Sequence, residues 1–171
     1  MSINKEKINI INSIRLTLMN MKKIGEAAIV DAQIEANYHI GAMQSRYDTF
    51  KEEAQYLVAA HQIRLIRLED EISICDSLIK KLSNDNFYFD TVELGALFVV
   101  EFEEKESKQI KAYFLVPGGT GMIVCIQGVN AICVSPNAPV VNIFQGLHIG
   151  EEPELQSTVN KFTNKIILSI R

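Results

Sequence analysis

Two stretches of the sequence decide the fold: INSIRLTLMNMKKIGEAAIVDA (residues 11–32) and HQIRLIRLEDEISICDSLIKKL (residues 61–82). In both, apolar or small residues recur at alternating intervals of three and four, the spacing of an apolar seam on a coiled-coil helix. The seam positions are Ile11, Ile14, Leu18, Met21, Gly25, Ala28 and Ala32, then Leu82, Ile79, Cys75, Ile72, Leu68, Leu65 and His61. The residue numbers of opposed seam positions sum to 93, as for 11 with 82 and 18 with 75. This symmetry predicts an antiparallel helical hairpin that turns near Arg46 and Tyr47.

The second half of the chain has a different character. The turn-forming cluster at 83–86 ends the helical signal, and β-rich runs follow at 92–102, 110–116, 122–127 and 131–134, with weaker ones at 153–156 and 161–170. Ser135 and Pro136 predict the start of one short helix, which Gly146 ends. We therefore expect an α+β protein: a coiled-coil hairpin at 1–82, a linker at 83–90, and an antiparallel sheet with one short helix at 91–171.

Composition and charge exclude several classes of protein. The 171 residues carry a formal net charge of −4, which argues against independent binding to nucleic acid, because such binding relies on a basic surface. No apolar run reaches the length of a membrane span, and the N-terminus does not resemble a secretory signal. The expected location is a bacterial-type cytoplasm, with no membrane partner.

The three cysteines do not have the spacing of a metal site. Cys125 and Cys133 lie symmetrically about Val129, so they could face each other across a β-hairpin. The favoured interpretation is that Cys75, Cys125 and Cys133 are small buried hydrophobes in a reducing compartment.

The tip of the predicted hairpin, near 44–52, is acidic. Thr49 and Glu52 have the spacing of a capping box for the second helix, which would explain these residues without any function. Asp48 and Glu52 are alternatively candidate magnesium ligands, because residues four apart share a helix face and carboxylates suit a hard cation. The two interpretations are compatible with each other.

Over nearly its whole length the chain resembles the Gre family of bacterial transcript cleavage and elongation factors. The more specific part of the match is C-terminal. Residues 92–100 (VELGALFVV) look like the family's first strand after the linker, and 132–139 (ICVSPNAP) like its Ser-Pro-x-Ala segment, followed by Gly146 and Gly150. The resemblance implies an FKBP-like C-terminal domain that docks on RNA polymerase, and a coiled coil that enters the secondary channel of the polymerase.

The resemblance also implies a function for the tip acids. In the family, two such acids help to hold a magnesium ion that is shared with the polymerase, and the polymerase then cleaves its own backtracked RNA. Carried over, the catalytic and metal-binding candidates are Asp48 and Glu52, with Glu53 as a substitute. No tightly bound cofactor is expected, and the protein would be an accessory factor more than an autonomous enzyme. Ser135 and Pro136 become candidates for docking on RNA polymerase.

The tip departs from the family pattern at one position, and this leaves alternatives open. Alignment on residues 54–56 places Thr49 where the family has its aspartate, with Asp48 one residue early. The alternative is a non-catalytic family member that binds the channel and modulates or inhibits polymerase. A less favoured alternative is an FKBP-like prolyl isomerase or chaperone, whose pocket would be lined by some of the aromatic residues Phe87, Tyr88, Phe89, Phe98, Phe102, Tyr113, Phe114, Phe144 and Phe162.

Overall fold

The computed structural model describes residues 2–38, 44–84, 86–104, 107–153 and 164–171. Two long helices come first, α1 (Ile3–Tyr38) and α2 (Gln44–Leu82). The remaining elements are β1 (Leu97–Glu104), β2 (Ser107–Leu115), β3 (Ile123–Ile126), β4 (Val129–Val134), α3 (Pro139–Phe144) and β5 (Asn164–Ile170). The strands form one sheet in the order β3-β4-β2-β1-β5. The predicted α+β class, with a helical hairpin followed by a sheet and one short helix, is confirmed.

The chain divides into two compact units. One unit, which we call the distal hairpin, contains Arg15–Ile74. The other, the sheet unit, contains Met1–Ile14 together with Cys75–Arg171, so the first residues of α1 and the last of α2 belong to it.

The predicted seam accounts for most of the buried positions of the two helices. Of its fourteen positions, only Met21 is exposed, at 36%, and the others are buried or half-buried. Small residues allow close approach of the helices, since a Cβ placed on Gly25 would lie 2.9 Å from Cδ2 of Leu65. A salt bridge of 2.8 Å between Lys22 and Glu69 joins the helices at the same level.

The register of the helix pair differs from the predicted one. Gly25 lies against Leu65, whereas the predicted pairing places it against Leu68. The residue numbers of contacting pairs sum to 90 for Gly25 with Leu65 and to 91 for Lys22 with Glu69, and the predicted sum is 93. Both Arg46 and Tyr47, the predicted turn, are helical residues of α2. The physical reason is that a seam of alternating threes and fours offers another apolar position when one helix slides by three residues, so spacing alone does not select the register.

Three of the four strand pairings are antiparallel, as predicted, and one is not. β1 pairs antiparallel with β2 and with β5, and β3 with β4. β2 and β4 are parallel, with Ala112 beside Ala131 and Leu115 beside Val134. The chain passes from β2 to the sheet edge to form β3, and the tight β3–β4 hairpin then returns β4 alongside β2. The sheet is therefore mixed, which local strand patterns do not reveal.

The β3–β4 turn consists of Gln127 and Gly128, both with positive φ, at 51° and 76°. Positive φ at both central residues is the geometry that fits a two-residue hairpin to the twist of its strands. The carboxylate of Glu6 accepts a hydrogen bond of 2.8 Å from the Gln127 backbone N–H. The start of α1 thus holds this turn within the sheet unit.

Both faces of the sheet are covered. On one face, Phe144 of α3 packs against Phe98 and Phe102, with ring centroids 6.2 and 6.1 Å apart. Phe114 of β2 lies on the opposite face, where Lys7 of α1 approaches its ring. The core of the sheet unit is thus formed between the base of the hairpin and the sheet, and between the sheet and α3.

Lys7 is the most unusual residue of this core, because it is a lysine with 0% exposure. Its Nζ donates hydrogen bonds to the carbonyl oxygens of Gly95, at 3.0 Å, and Arg171, at 2.6 Å, and lies 4.3 Å from the ring centroid of Phe89. Burial removes water from the ammonium group and lowers the pKa of Lys7 from 10.5 to about 7. Lys7 therefore connects α1, the entry to β1 and the end of β5.

Replacement of this lysine gives a prediction for pH dependence. Between pH 7 and 10 the unfolded chain carries a proton on Lys7 that the folded chain lacks, so raising the pH favours folding. The free energy of unfolding of the wild type, relative to Lys7→Met, should rise by up to about 1.4 kcal/mol per pH unit over this range. Urea denaturation at several pH values measures this difference. Lys5→Met removes an exposed lysine as the control, and parallel pH profiles for wild type and Lys7→Met would contradict the assignment.

Gly95 lies at the entry to β1 with φ of +92°, a conformation that residues with a side chain rarely adopt. An added Cβ would lie 3.0 Å from Leu78 and 3.1 Å from Phe89. Both the backbone conformation and the lack of a side chain are therefore required at this position.

We predict that Gly95→Ala lowers the free energy of unfolding by about 1–3 kcal/mol, because backbone strain and crowding act together. Gly121→Ala is the matched control, since Gly121 has a similar φ of +85° with nothing within 4 Å of the added Cβ. Thermal unfolding should show the smaller loss for Gly121→Ala. Equal losses would mean that crowding by Leu78 and Phe89 contributes nothing.

Candidate functional site

The tip acids lie in the first turns of α2. This helix begins at Gln44, so Asp48 and Glu52 are both helical positions, one turn apart. Glu52 and Glu53 are exposed, whereas the side chain of Asp48 lies outside the described part of the structure. The helix start also removes the capping-box interpretation, because Thr49 lies within the helix and is not its N-cap. A capping box with Thr49 therefore does not explain the glutamate at position 52.

Two exposed carboxylates, those of Glu52 and Glu53, lie near the start of α2, and Asp48 is a helical position one turn before Glu52. Among the described residues, no group of three or more metal-ligating side chains is present. Mg²⁺ usually keeps several waters and takes one or two protein carboxylates together with ligands from a substrate. Asp48 and Glu52 fit that incomplete set of ligands, and a partner would have to supply the others.

Ser135 and Pro136 form the turn between β4 and α3, and both are half-buried. The predicted helix start at these two residues is wrong. The N-cap is Ala138, with no side-chain hydrogen bond, and Pro139 occupies the first turn. Pro139, three residues after Pro136, lies in the first helical turn, a position that suits proline. The Ser135 carbonyl accepts a hydrogen bond of 3.0 Å from the Ala138 N–H. Neither Ser135 nor Pro136 is therefore explained by helix capping.

The two candidate regions belong to different compact units. Asp48, Glu52 and Glu53 lie in the distal hairpin, and Ser135 and Pro136 lie in the sheet unit. Ser135 and Pro136 are consecutive residues of the sheet unit, and Glu52 and Glu53 are consecutive exposed residues of the distal hairpin.

The cysteines do not form a reactive centre. Cys125 pairs with Asn130 across the β3–β4 hairpin, so it does not face Cys133. The turn is centred between Gln127 and Gly128, one and a half residues before Val129. Cys75 and Cys133 are buried, as predicted, but Cys125 is exposed. Burial raises the pKa of the Cys133 thiol to about 11, which disfavours the thiolate and with it nucleophilic or redox chemistry.

The aromatic residues that the isomerase alternative needs are mostly core residues. Those buried are Phe89, Phe98, Phe102, Tyr113, Phe114 and Phe144. Phe87 is half-buried and Tyr88 is 73% exposed, while Phe162 lies outside the described residues. Since these rings pack in the core, they are not available to line a ligand pocket.

The seam periodicity does not identify a set of exposed apolar side chains. Large apolar side chains are exposed on both helices of the distal hairpin: Leu16, Ile24, Val30, Ile34, Tyr56, Leu57, Ile63 and Ile66. A signal for part of this surface is present, because Tyr56, Ala59, Ile63 and Ile66 repeat the intervals of three, four and three on the side of α2 away from the seam.

Comparisons with known proteins give two results. No protein-family model matches the chain, and no curated protein matches it either. Among solved structures, the GreA factor homolog 1 (Gfh1) protein of Thermus thermophilus is similar, with 16% sequence identity, coverage of 92% of this chain and 94% of that chain, and a TM-score of 0.34. A structure of the transcription factor Gfh1 is 15% identical over 91% of this chain and 92% of its own, with a TM-score of 0.32. Identities and TM-scores this low do not establish family membership.

None of the helices that the structure describes is both long and apolar enough to cross a membrane.

Proposed function

We propose that this protein is a Gre-like transcription elongation factor. It docks on RNA polymerase through its sheet unit and inserts the helical hairpin into the secondary channel, where it stimulates cleavage of backtracked RNA by the polymerase. The proposed partner is the polymerase itself, which holds the nucleic acid, so the factor's net charge of −4 is no obstacle.

The observation that carries the proposal is the hairpin. Helices of 36 and 39 residues, each about 54 to 58 Å long, are connected by residues 39–43, and Glu52 and Glu53 are exposed near the start of the second helix. The residues that carry the family resemblance are the second support. They lie at the entry to β1 and in the Ser135–Pro136 turn, which helix capping does not explain.

Asp48 and Glu52 would act together at the tip. Mg²⁺, when bound, makes a coordinated water more acidic and neutralises charge on the cleaved phosphodiester. The role of Asp48 and Glu52 would be to offer two oxygen ligands at a fixed separation, because both positions lie on one regular helix. The exposed Glu53 is next to Glu52 and is available as a substitute ligand.

A non-catalytic channel-binding modulator is the second candidate function. The observation that favours it is Thr49, which occupies the position where the family pattern has aspartate. Such a factor would bind polymerase in the same manner but would inhibit it, or compete with other channel proteins, without promoting cleavage. The prolyl isomerase alternative loses its support, because most of the aromatic residues proposed for its pocket pack in the core.

Cleavage of a reconstituted, backtracked bacterial elongation complex tests the function. The wild-type protein should release short 3′ RNA fragments, and the double variant Asp48→Asn, Glu52→Gln should reduce the cleavage rate about tenfold or more, because the metal ligands are lost. Asp70→Asn, an exposed acid elsewhere on α2, is the matched control and should leave the rate unchanged. Binding of the wild type without any cleavage would identify the modulator, and full activity of the double variant would contradict the assigned roles.

Docking is tested separately. We predict that Ser135→Arg weakens binding to core RNA polymerase about tenfold or more, since a long cationic side chain in the half-buried turn would separate the two surfaces. Gln145→Arg places the same side chain at an exposed position after α3. Biolayer interferometry measures both, with circular dichroism as the folding control. Equal affinities for the two variants would remove Ser135 from the docking surface.

A further inference from the structure

β3 lies at one edge of the sheet, and the turn after it determines where its backbone groups point. In a two-residue hairpin the residues that flank the turn, here Ile126 and Val129, exchange both of their backbone hydrogen bonds. Bonded pairs alternate along an antiparallel ladder, so Val124 also bonds to β4. Ile123 and Cys125 therefore direct their N–H and C=O groups away from the sheet.

These outward groups distinguish β3 from the strand at the other edge of the sheet. No backbone group in the described part of the chain bonds to β3 on its outer side. At the other edge, the segment that follows α3 borders β5. The Gly150 N–H donates a hydrogen bond of 2.8 Å to the Ile167 carbonyl, and the Ile167 N–H donates one of 3.4 Å to the Glu151 carbonyl. β3 is thus the edge that remains open to another strand.

The region around β3 has no charged side chains of the four main types. Residues 112–150, which include β3, β4 and α3, contain no Asp, Glu, Lys or Arg, although these residues make up 22% of the chain. At the edge, Ile123 is 72% exposed and lies beside the exposed Ile132 of β4. A chain of net charge −4 repels its own copies wherever like charges meet, and a twofold contact brings identical surfaces together. This edge avoids that repulsion.

We propose that two copies of this protein pair through their β3 strands, antiparallel to each other, about a twofold axis that passes through Val124. In this register Ile123 of each copy lies opposite Cys125 of the other, and each such pair exchanges two hydrogen bonds. All the outward groups of both strands are then bonded, and the two sheets become continuous. The inference goes beyond the proposed function and does not depend on it, because it concerns the sheet unit alone.

Neighbouring registers leave outward groups without partners. If Cys125 lay opposite its own copy, Ile123 would have to pair with Gln127, which lies in the turn with a φ of 51° and donates its N–H to Glu6. If Ile123 lay opposite its own copy, Cys125 would have to pair with Gly121, whose N–H bonds to β4. The twofold axis at Val124 is therefore the register that the outward groups select.

The size of the contact predicts how strongly the two copies associate. β3 has four residues, so the paired strands form a strip about 14 Å long and about 10 Å thick. This is far smaller than the roughly 800 Å² per partner of a standard stable complex. We therefore expect a weak dimer whose population depends on protein concentration.

Sedimentation velocity of the full-length protein tests the pairing. The wild type should convert from monomer to dimer as its concentration rises to about 0.5 mM. Ile123→Lys should raise the dissociation constant of the dimer about tenfold or more, because lysine at an edge strand opposes strand addition. Ile149→Lys is the matched control, since Ile149 is also an exposed isoleucine, at 56%, but precedes the segment that borders β5. This control should associate like the wild type, with circular dichroism to confirm folding.

Disulfide formation tests the register. Val124→Cys, in a Cys125→Ser background, places two thiols across the axis in a non-hydrogen-bonded pair, where Cα atoms lie about 4.5 Å apart and a disulfide can form. Mild oxidation should give a covalent dimer on a non-reducing gel. Met122→Cys in the same background is the matched control. Met122 is exposed too, but the register separates it from its copy by about 14 Å along the strands, so it should not cross-link.

Three results would overturn the inference. One is a wild type that stays monomeric at every concentration. Another is a dimer that Ile123→Lys leaves intact or that Ile149→Lys weakens equally, because the contact would then lie elsewhere. The third is cross-linking of Met122→Cys as fast as that of Val124→Cys. RNA polymerase takes no part in these measurements, so their failure would leave the proposed function untouched, and a wild type that does not bind polymerase would leave the dimer untouched.

Discussion

The apolar seam between α1 and α2 is the contact on which the hairpin depends. Isolated helices are marginal in water, and most helical stability in proteins comes from packing of an apolar face. Leu18 and Ala32 on α1 and Leu68 on α2 are buried in the distal hairpin, and Gly25 allows Leu65 to pack close to the α1 backbone. Within the distal hairpin the seam thereby holds the two helices together, and it also determines which side chains remain outside.

The sequence predicts elements more readily than it predicts how they pair. The seam positions follow from periodicity, and the strands follow from β-rich runs between turn residues. The hairpin register does not follow, because a shift of three residues replaces Leu68 by Leu65 without loss of apolar contact. The predicted start of α3 is wrong for a comparable reason, since Pro136 and Pro139 both suit a first helical turn and only the structure selects Pro139.

Long-range contacts account for most of what periodicity misses. A lysine near the start of an amphipathic helix is normally assigned to solvent, yet Lys7 is buried against the carbonyl oxygens of Gly95 and Arg171, far away in sequence. The parallel pairing of β2 with β4 has the same origin, because it depends on where the β3–β4 hairpin inserts in the sheet. At the candidate site, the acids could be found from their place at the predicted hairpin tip, but the position of Asp48 and Glu52 within a regular helix required the observed start of α2.

The exposed apolar side chains of the distal hairpin and the acids at its tip would make different demands on a partner. Acids at the tip contribute only where a metal and further ligands are available, so their value is local to a reaction centre. Apolar side chains along the shaft contribute wherever walls exclude water, and exposing them in the free protein favours aggregation. Val30, Ile34, Ile63 and Ile66 are each more than half exposed, so apolar contacts along the hairpin and metal chemistry at its tip would involve different residues. Under the proposed function, this makes binding and cleavage separable properties: a departure such as Thr49 at the tip could alter cleavage and leave the affinity for polymerase intact.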